Sequence, residues 1–392
     1  MMNNLSKLID PISKEEFIEK YWQKEMLLIK RNNPHYWDLL LHISQVDEIL
    51  TTTSISPPDV LLVNAEHQLH IDKYTRNGQE IDALKLFQFF SSGNTIILNQ
   101  LHKKIHSLGV FCESMEYEFG LPFQTNIYLT PPHAQGFTSH FDTHDVFILQ
   151  ITGSKTWRIY NRPIVNPLLT QSYDSNTHKI SSEFSEFVLN QGDTLYIPSG
   201  LIHEAFSNDT LSMHITLGGL YTRLADFVNE VIKTISENVE DLRASLPFFV
   251  GRDKDDIELL TKKIKKIFEM ANLQDYIIET KDRMVRKSML HTRPIVKNQL
   301  FQITNNTNLP LDRLISIRPN LKFTIKEDKD KITLNCFNET IVFPIKFSSI
   351  IHFIILEEKF YFAQIKSELD ENLKIEIIQQ LIRIGFITFI LD

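Results

Sequence analysis

The stretch Gly192-Asp193-Thr194-Leu195-Tyr196-Ile197-Pro198-Ser199-Gly200 runs directly into Leu201-Ile202-His203-Glu204-Ala205. Gly-Asp marks a turn, residues 194–197 combine β-branched, aromatic and aliphatic side chains as strands do, and Pro-Ser-Gly turns the chain again. A histidine is thereby delivered at the exit of a tight turn. Working outward, residues 126–129, 146–151, 156–160 and 212–217 are further short apolar runs separated by Pro, Gly, Asn and Asp. Short strands at this spacing predict a sandwich or barrel.

His140-Phe141-Asp142 precedes this stretch, and His203 follows Asp142 by 61 residues. Side chains at i and i+2 of a strand share a face, so the segment offers an imidazole and a carboxylate side by side. With one distant imidazole they make the two-His-one-carboxylate set that suits non-haem Fe(II) and leaves positions open. The chain holds 14 histidines, so an HxD arises easily by chance and its surroundings must decide. Before it stand Asn126-Ile127-Tyr128-Leu129-Thr130-Pro131-Pro132 and Gln135-Gly136-Phe137. After it comes Asp145-Val146-Phe147-Ile148-Leu149-Gln150-Ile151-Thr152-Gly153-Ser154-Lys155-Thr156-Trp157.

Together these segments resemble the JmjC family and, more closely, its ribosomal-oxygenase branch. The resemblance is dense over 126–217 and looser over the rest. It implies a mainly β protein with α elements: a double-stranded β-helix (cupin) core in residues 1–220, a helical dimerisation block in 221–300, and a small α+β winged-helix-like module in 301–392. It also implies that His140, Asp142 and His203 hold Fe(II) and that Lys155 pairs with the distal carboxylate of 2-oxoglutarate. Asn126, Tyr128 and Ser212 fall where the family lines its co-substrate wall. The reaction implied is hydroxylation of an amino-acid side chain in a protein or peptide, with a ribosomal protein the leading candidate. A small precursor peptide or an RNA base as substrate, and a cupin that binds without catalysis, are the alternatives. His214 reads as a satisfied core histidine, His144 as a turn or near-site residue, and His133 as a loop residue at the mouth.

The bulk properties fit this reading. With 392 residues, 42% hydrophobic and 23% charged, the chain has room for two or three cores of roughly 100–200 residues each. No run approaches the ~18–20 apolar residues of a membrane span, and the first residues lack an apolar signal core, so a cytoplasmic protein is expected. The net charge of -8 is opposite to that of a phosphate-gripping surface. Cys112 and Cys336 form no metal or disulfide pattern.

Ser13-Lys14-Glu15-Glu16 has the capping-box pattern for a helix to Trp22, residues 27–29 read as a buried strand, and 83–90 and 102–118 as helices. Leu224, Phe227, Val228, Val231, Ile232 and Ile235 recur at helical spacing, as do Ile257, Leu260, Ile264, Ile267 and Phe268, with Leu246-Pro247 as a break. Their apolar stripes predict a homodimer. Residues 322–325 and 331–334 predict a hairpin, 348–356, 362–369 and 371–384 helices, and 386–391 a strand. Glu371, Lys374, Glu376, Gln379, Gln380 and Arg383 on the last helix balance acids against bases, which argues against a DNA reader.

Overall fold

The computed structural model describes residues 4–65, 68–245, 254–269, 272–291, 296–304, 310–337 and 339–390. The expected break at Leu246-Pro247 and the end of the last strand at Leu391 lie outside them. The chain divides into two compact units, Met1–Tyr221 and Thr222–Asp392.

The first unit is built on two antiparallel sheets. The strands of these two sheets are β1 (Leu27–Ile29), β2 (Val60–Val63), β3 (Thr95–Leu98), β4 (Phe123–Thr130), β5 (Val146–Thr152), β6 (Ser154–Ile159), β7 (Ser185–Asn190), β8 (Thr194–Ile197), β9 (His203–Ser207) and β10 (Ser212–Gly219); a two-residue ladder, Thr75–Arg76 with Glu80–Ile81, lies apart from them. The larger sheet has the order β1-β8-β5-β10-β4-β3-β2, the smaller β9-β6-β7. Together they form the β-helix core expected from the sequence. The expected runs are all strands; β2, β3 and β7 were not anticipated.

β5 is apolar at nearly every position because the larger sheet is covered on both faces. Phe147, Leu149 and Ile151 pack into one cluster with Leu5, Leu8, Leu108, Phe111 and Met115, which come from helices Asn4–Ile9 and His106–Phe119. Val146 and Ile148, with the opposite parity, pack between the sheets against Trp157, Ile159, Leu189, Leu195 and Ile197. At the N-terminal side, Ser13 Oγ accepts from the Glu16 amide at 3.1 Å, but the short α-helix Lys14–Glu16 continues as a π-helix over Phe17–Tyr21.

Two turns set where the functional strands begin. Pro198-Ser199-Gly200 is tethered by Ser199 N donating to Asp145 Oδ1 at 2.9 Å, by the Tyr196 hydroxyl on the same carboxylate, and by Gly200 N donating to Asp142 O at 2.9 Å. The β5–β6 hairpin turns at Gly153, where φ is +66° and an added Cβ would lie 2.0 Å from the Leu211 carbonyl oxygen.

The second unit holds helices Leu224–Asn238, Lys254–Phe268 and Leu273–His291, the last not anticipated. Thr234 and Thr280, both fully buried, share a 2.9 Å hydrogen bond between the first and third. The expected hairpin is the first turn of a three-stranded meander, Phe323–Glu327, Lys331–Cys336 and Glu339–Pro344. Helix Ser348–Glu357 is as expected, and helix Glu371–Arg383 is capped by Asp370, whose Oδ1 accepts from Leu373 N at 2.9 Å. The helix expected over 362–369 is instead one 3₁₀ turn, Phe362–Gln364. Ser367 Oγ accepts from the Leu369 amide at 3.2 Å, a local turn that competes with the helical ladder. The closing strand is Ile387–Phe389. Among the described residues no helix is long and apolar enough to cross a membrane.

The Gly153 contact yields a test. Gly153→Ala combines backbone strain with overlap on a main-chain oxygen, and should destabilise the protein by roughly 2–5 kcal/mol in urea unfolding.

Candidate metal centre and its cavity

Period-two alternation builds the cavity between the sheets. On β10, Met213, Ile215 and Leu217 enter the larger core, so His214 and Thr216 face the other way and line the cavity. On β4, Ile127 and Leu129 enter that core and Tyr128 faces the cavity. Lys155 and Trp157 of β6, Ile148 of β5, and His203, Glu204 and Ala205 of β9 complete the wall. Gly136, Phe137, His140 and Asp142 contribute from the segment before β5.

His140, Asp142 and His203 converge. One ligand atom from each lies within 4.8 Å of the others, and His203 Nε2 is 3.8 Å from Asp142 Oδ2. The expected strand under His140 and Asp142 is not regular: His140 forms a single β-bridge to His203, and Asp142 follows in irregular chain. Two backbone hydrogen bonds, His140 N to His203 O at 3.0 Å and His203 N to His140 O at 2.8 Å, replace a continuous ladder. Each ring also has its Nδ1 against a carbonyl, Thr138 O at 2.7 Å for His140 and Leu201 O at 3.0 Å for His203. Nδ1–H donates there, which leaves each Nε2 lone pair free for a metal.

The electrostatics agree with a cation site. Burial pushes the Asp142 carboxyl up, but His140, His203 and His144 outweigh it and hold it below its usual value. Burial, with His140 beside it, lowers His203 to about 4. At neutral pH the centre therefore offers a carboxylate and an unprotonated imidazole. Two imidazoles and one carboxylate, with the remaining directions open to the cavity, fit a first-row divalent ion such as Fe(II).

Lys155 is only 4% exposed. Its Nζ bonds to Thr130 Oγ1 at 3.0 Å, and no carboxylate lies within ion-pair distance of it among the described residues. Burial pushes its ammonium down to about 7. Arg158, the neighbouring cation, points away from the cavity to Glu186 at 2.7 Å and Glu204 at 3.7 Å. Lys155 is thus a buried amine with a hydroxyl but no carboxylate beside it among the described residues.

The other expected positions divide. Tyr128 lines the cavity, and burial raises its phenol; its ring stacks on His214, centroids 4.9 Å apart. Asn126 shares its face of β4 but accepts from the Gln100 amide at 3.0 Å and is not in the lining. Ser212 is fully buried and bonded to Gln150 Nε2 at 2.9 Å, outside the lining. His133 is exposed beside Asp209. His144 packs over Gly218, where a Cβ would meet its Nε2 at 2.7 Å.

The reading of His214 as a satisfied core histidine is corrected. It is buried, faces the cavity, and its Nδ1 has no hydrogen-bond partner. Burial and then Lys155 hold it well below its usual pKa, so it is neutral. Thr216 was missed outright. The signal for both was present: 212–217 alternates polar with apolar, and the even positions form a polar inward face.

Residues 100–227 match the family model of the JmjC domain, so the chain carries a JmjC domain. Among curated proteins it is 24% identical over 308 residues to the bifunctional lysine-specific demethylase and histidyl-hydroxylase NO66 of Drosophila erecta, covering 76% of this chain and 45% of that protein. The NO66 of Aedes aegypti is 27% identical over 300 residues, covering 71% and 47%. The chain thus spans less than half the length of these curated relatives. Among solved structures, Escherichia coli ycfD shares the fold with a TM-score of 0.54 at 13% identity, covering 97% of this chain and 98% of that one. A second structure, described as the E. coli ribosomal oxygenase YcfD in complex with cobalt and 2-oxoglutarate, has a TM-score of 0.50 at 14% identity over the same shares.

The buried Lys155 makes a pH prediction. An unfolded lysine keeps its proton up to 10.5, the folded one only to about 7. Between these values the unfolded chain binds more protons, so wild-type stability rises with pH; below 7 the full burial penalty applies. In metal- and ligand-free buffer, Lys155→Met should be more stable than wild type by about 2–4 kcal/mol at pH 6. The gap should close toward pH 10, as read by urea unfolding.

Proposed function

We propose that this protein is an Fe(II)- and 2-oxoglutarate-dependent oxygenase that hydroxylates an amino-acid side chain of a protein substrate. The observation that carries the reading is one cavity holding both His140, Asp142 and His203 at metal-binding separation and a buried lysine without a counter-charge. A metal site alone would not need Lys155. A dicarboxylate needs both, one end at the metal and the other at a cation shielded from water.

His140, Asp142 and His203 would hold the iron, and Lys155, with Thr130 fixing its ammonium, would hold the far carboxylate. Dioxygen is the oxidant of such a reaction: one of its oxygen atoms goes to the substrate side chain and the other into succinate, formed with carbon dioxide from 2-oxoglutarate, and bound iron would supply the centre for that chemistry. The chain's own work is to keep Asp142 ionised and His203 unprotonated, to orient both rings through Thr138 O and Leu201 O, and to exclude water with Trp157, Tyr128 and Ile148. His214, neutral and with an unpartnered Nδ1, is placed to hydrogen-bond a carboxylate beside Lys155. Phe137, partly exposed, stands at the mouth where a substrate side chain enters.

A ribosomal protein is the substrate favoured by the likeness to a protein described as a ribosomal oxygenase, and the net charge of -8 suits a basic partner. In the second unit, Leu224, Ile257, Ile264 and Phe268 are more than half exposed; a second copy of the chain is proposed to cover them, with 221–300 as the dimerisation block and 301–392 as a winged-helix-like module. Light scattering at micromolar concentration should give a dimer.

Two substitutions test the chemistry. Lys155→Ala should weaken 2-oxoglutarate binding by a hundred- to several-thousand-fold, about 3–5 kcal/mol, with iron content unchanged. His140→Ala should lower iron content first and succinate formation with it. A wild-type dependence on 2-oxoglutarate in Lys155→Ala would overturn the co-substrate assignment. Iron binding without any 2-oxoglutarate turnover would leave a non-catalytic cupin. A search for peptides gaining 16 Da only with active protein identifies the substrate, and exclusive modification of a precursor peptide or RNA base would replace the ribosomal one.

A further inference from the structure

Glu204 follows His203 directly and none of the chemistry above uses it. Its side chain is 15% exposed, yet it gathers three donors from two separate segments. Tyr160 OH donates to Oε1 at 2.5 Å, Ser139 Oγ to Oε2 at 3.0 Å and Gln135 Nε2 to Oε2 at 3.2 Å. Arg158 stands 3.7 Å away. Gln135 Nε2 also donates to the Phe137 carbonyl at 2.8 Å.

These bonds bracket Thr138, whose carbonyl holds the His140 ring at 2.7 Å. Gln135 ties down Phe137 on one side of it and Ser139 anchors the other. The segment 135–140 lacks a regular strand to hold it: beyond isolated bridges at Gln135 and His140, its position depends on side chains. A charged acceptor is the strongest available tether, because hydrogen bonds to a carboxylate are roughly twice as strong as neutral ones.

We propose that Glu204 is a positioning residue for the metal centre, a carboxylate clamp that fixes the segment carrying Thr138 and His140 against the strand that begins at His203. It rests on the function proposed above and adds to it how the two histidines are held at a set separation. The clamp acts through Ser139, Gln135 and Thr138; Glu204 borders the cavity but is not one of the three converging ligand groups. It also sets Phe137 at the cavity mouth, where the ring meets His140 edge-on at 5.6 Å.

The test titrates Co(II) into the full-length apo protein and follows visible absorption. Glu204→Gln keeps the shape but turns an amide donor toward donors that need an acceptor. Its Co(II) affinity should fall about tenfold, the low end for partners that orient ligands, with a changed band shape. Ser139→Ala should give a smaller loss of the same kind. Affinity within twofold of wild type in Glu204→Gln, even with a lower unfolding midpoint, overturns the clamp and leaves Glu204 a structural residue. Should Glu204→Gln fail to fold, the Gln135→Leu/Ser139→Ala double variant decides on the same criterion. A wild-type protein that binds no Co(II) would remove the metal centre, and the clamp with it.

Discussion

Every functional placement in the first unit depends on the alternation of side chains along strands whose sheet is buried on both faces. On β4, β5 and β10 one parity enters the core shared with the N-terminal helices and the other faces the smaller sheet. A shift of one residue in register would exchange Tyr128 for Ile127 and His214 for Ile215, filling the cavity with aliphatic groups and burying polar ones in the core. The two-sided apolar environment penalises that shift heavily. The cavity is therefore not a gap left by poor packing but the polar parity of β4 and β10, Tyr128, His214 and Thr216, closed by Ile148 of β5.

Within it, charge is arranged by desolvation. Asp142 stays ionised because three imidazoles outweigh the cost of its burial. Lys155 has no such compensation and is held near neutral pKa by burial alone. The asymmetry supports the proposed reading, in which the carboxylate end of the cavity takes a cation and the lysine end an anion. His214 between them stays uncharged and keeps an unpartnered ring nitrogen, a combination that a folded protein tolerates where a ligand completes it. Such sites lower stability without ligand, in keeping with function drawn from residues that packing alone would reject.

The ligand-bearing segments are held by tethers rather than by sheet. The turn before His203 hangs on Asp145, on the Tyr196 hydroxyl beneath it, and on the Asp142 carbonyl. The segment before His140 hangs on Glu204. The two meet through a reciprocal pair of backbone bonds between the histidines themselves. This gives a short irregular stretch, with few ladder bonds of its own, the rigidity that a metal centre demands.

The sequence by itself determined the strands around the centre, because 126–129, 146–151 and 194–197 are locally apolar and bounded by turn residues. It determined the candidate ligands too, because His140-Phe141-Asp142 and the Gly-Asp to Pro-x-Gly stretch before His203 are local patterns. Lys155 was legible for the same reason. What only the tertiary structure decided is what depends on pairing across the chain. β2 and β3 are short apolar runs that local sequence leaves open between strand and helix, while β7 is mostly exposed and exists because β6 supplies its hydrogen bonds. Helix 362–369 failed because a serine side chain won the local competition for an amide. His214 and Glu204 took their roles from strands that pair far from them in sequence, since burial, and the partners that make burial tolerable, are properties of the folded chain.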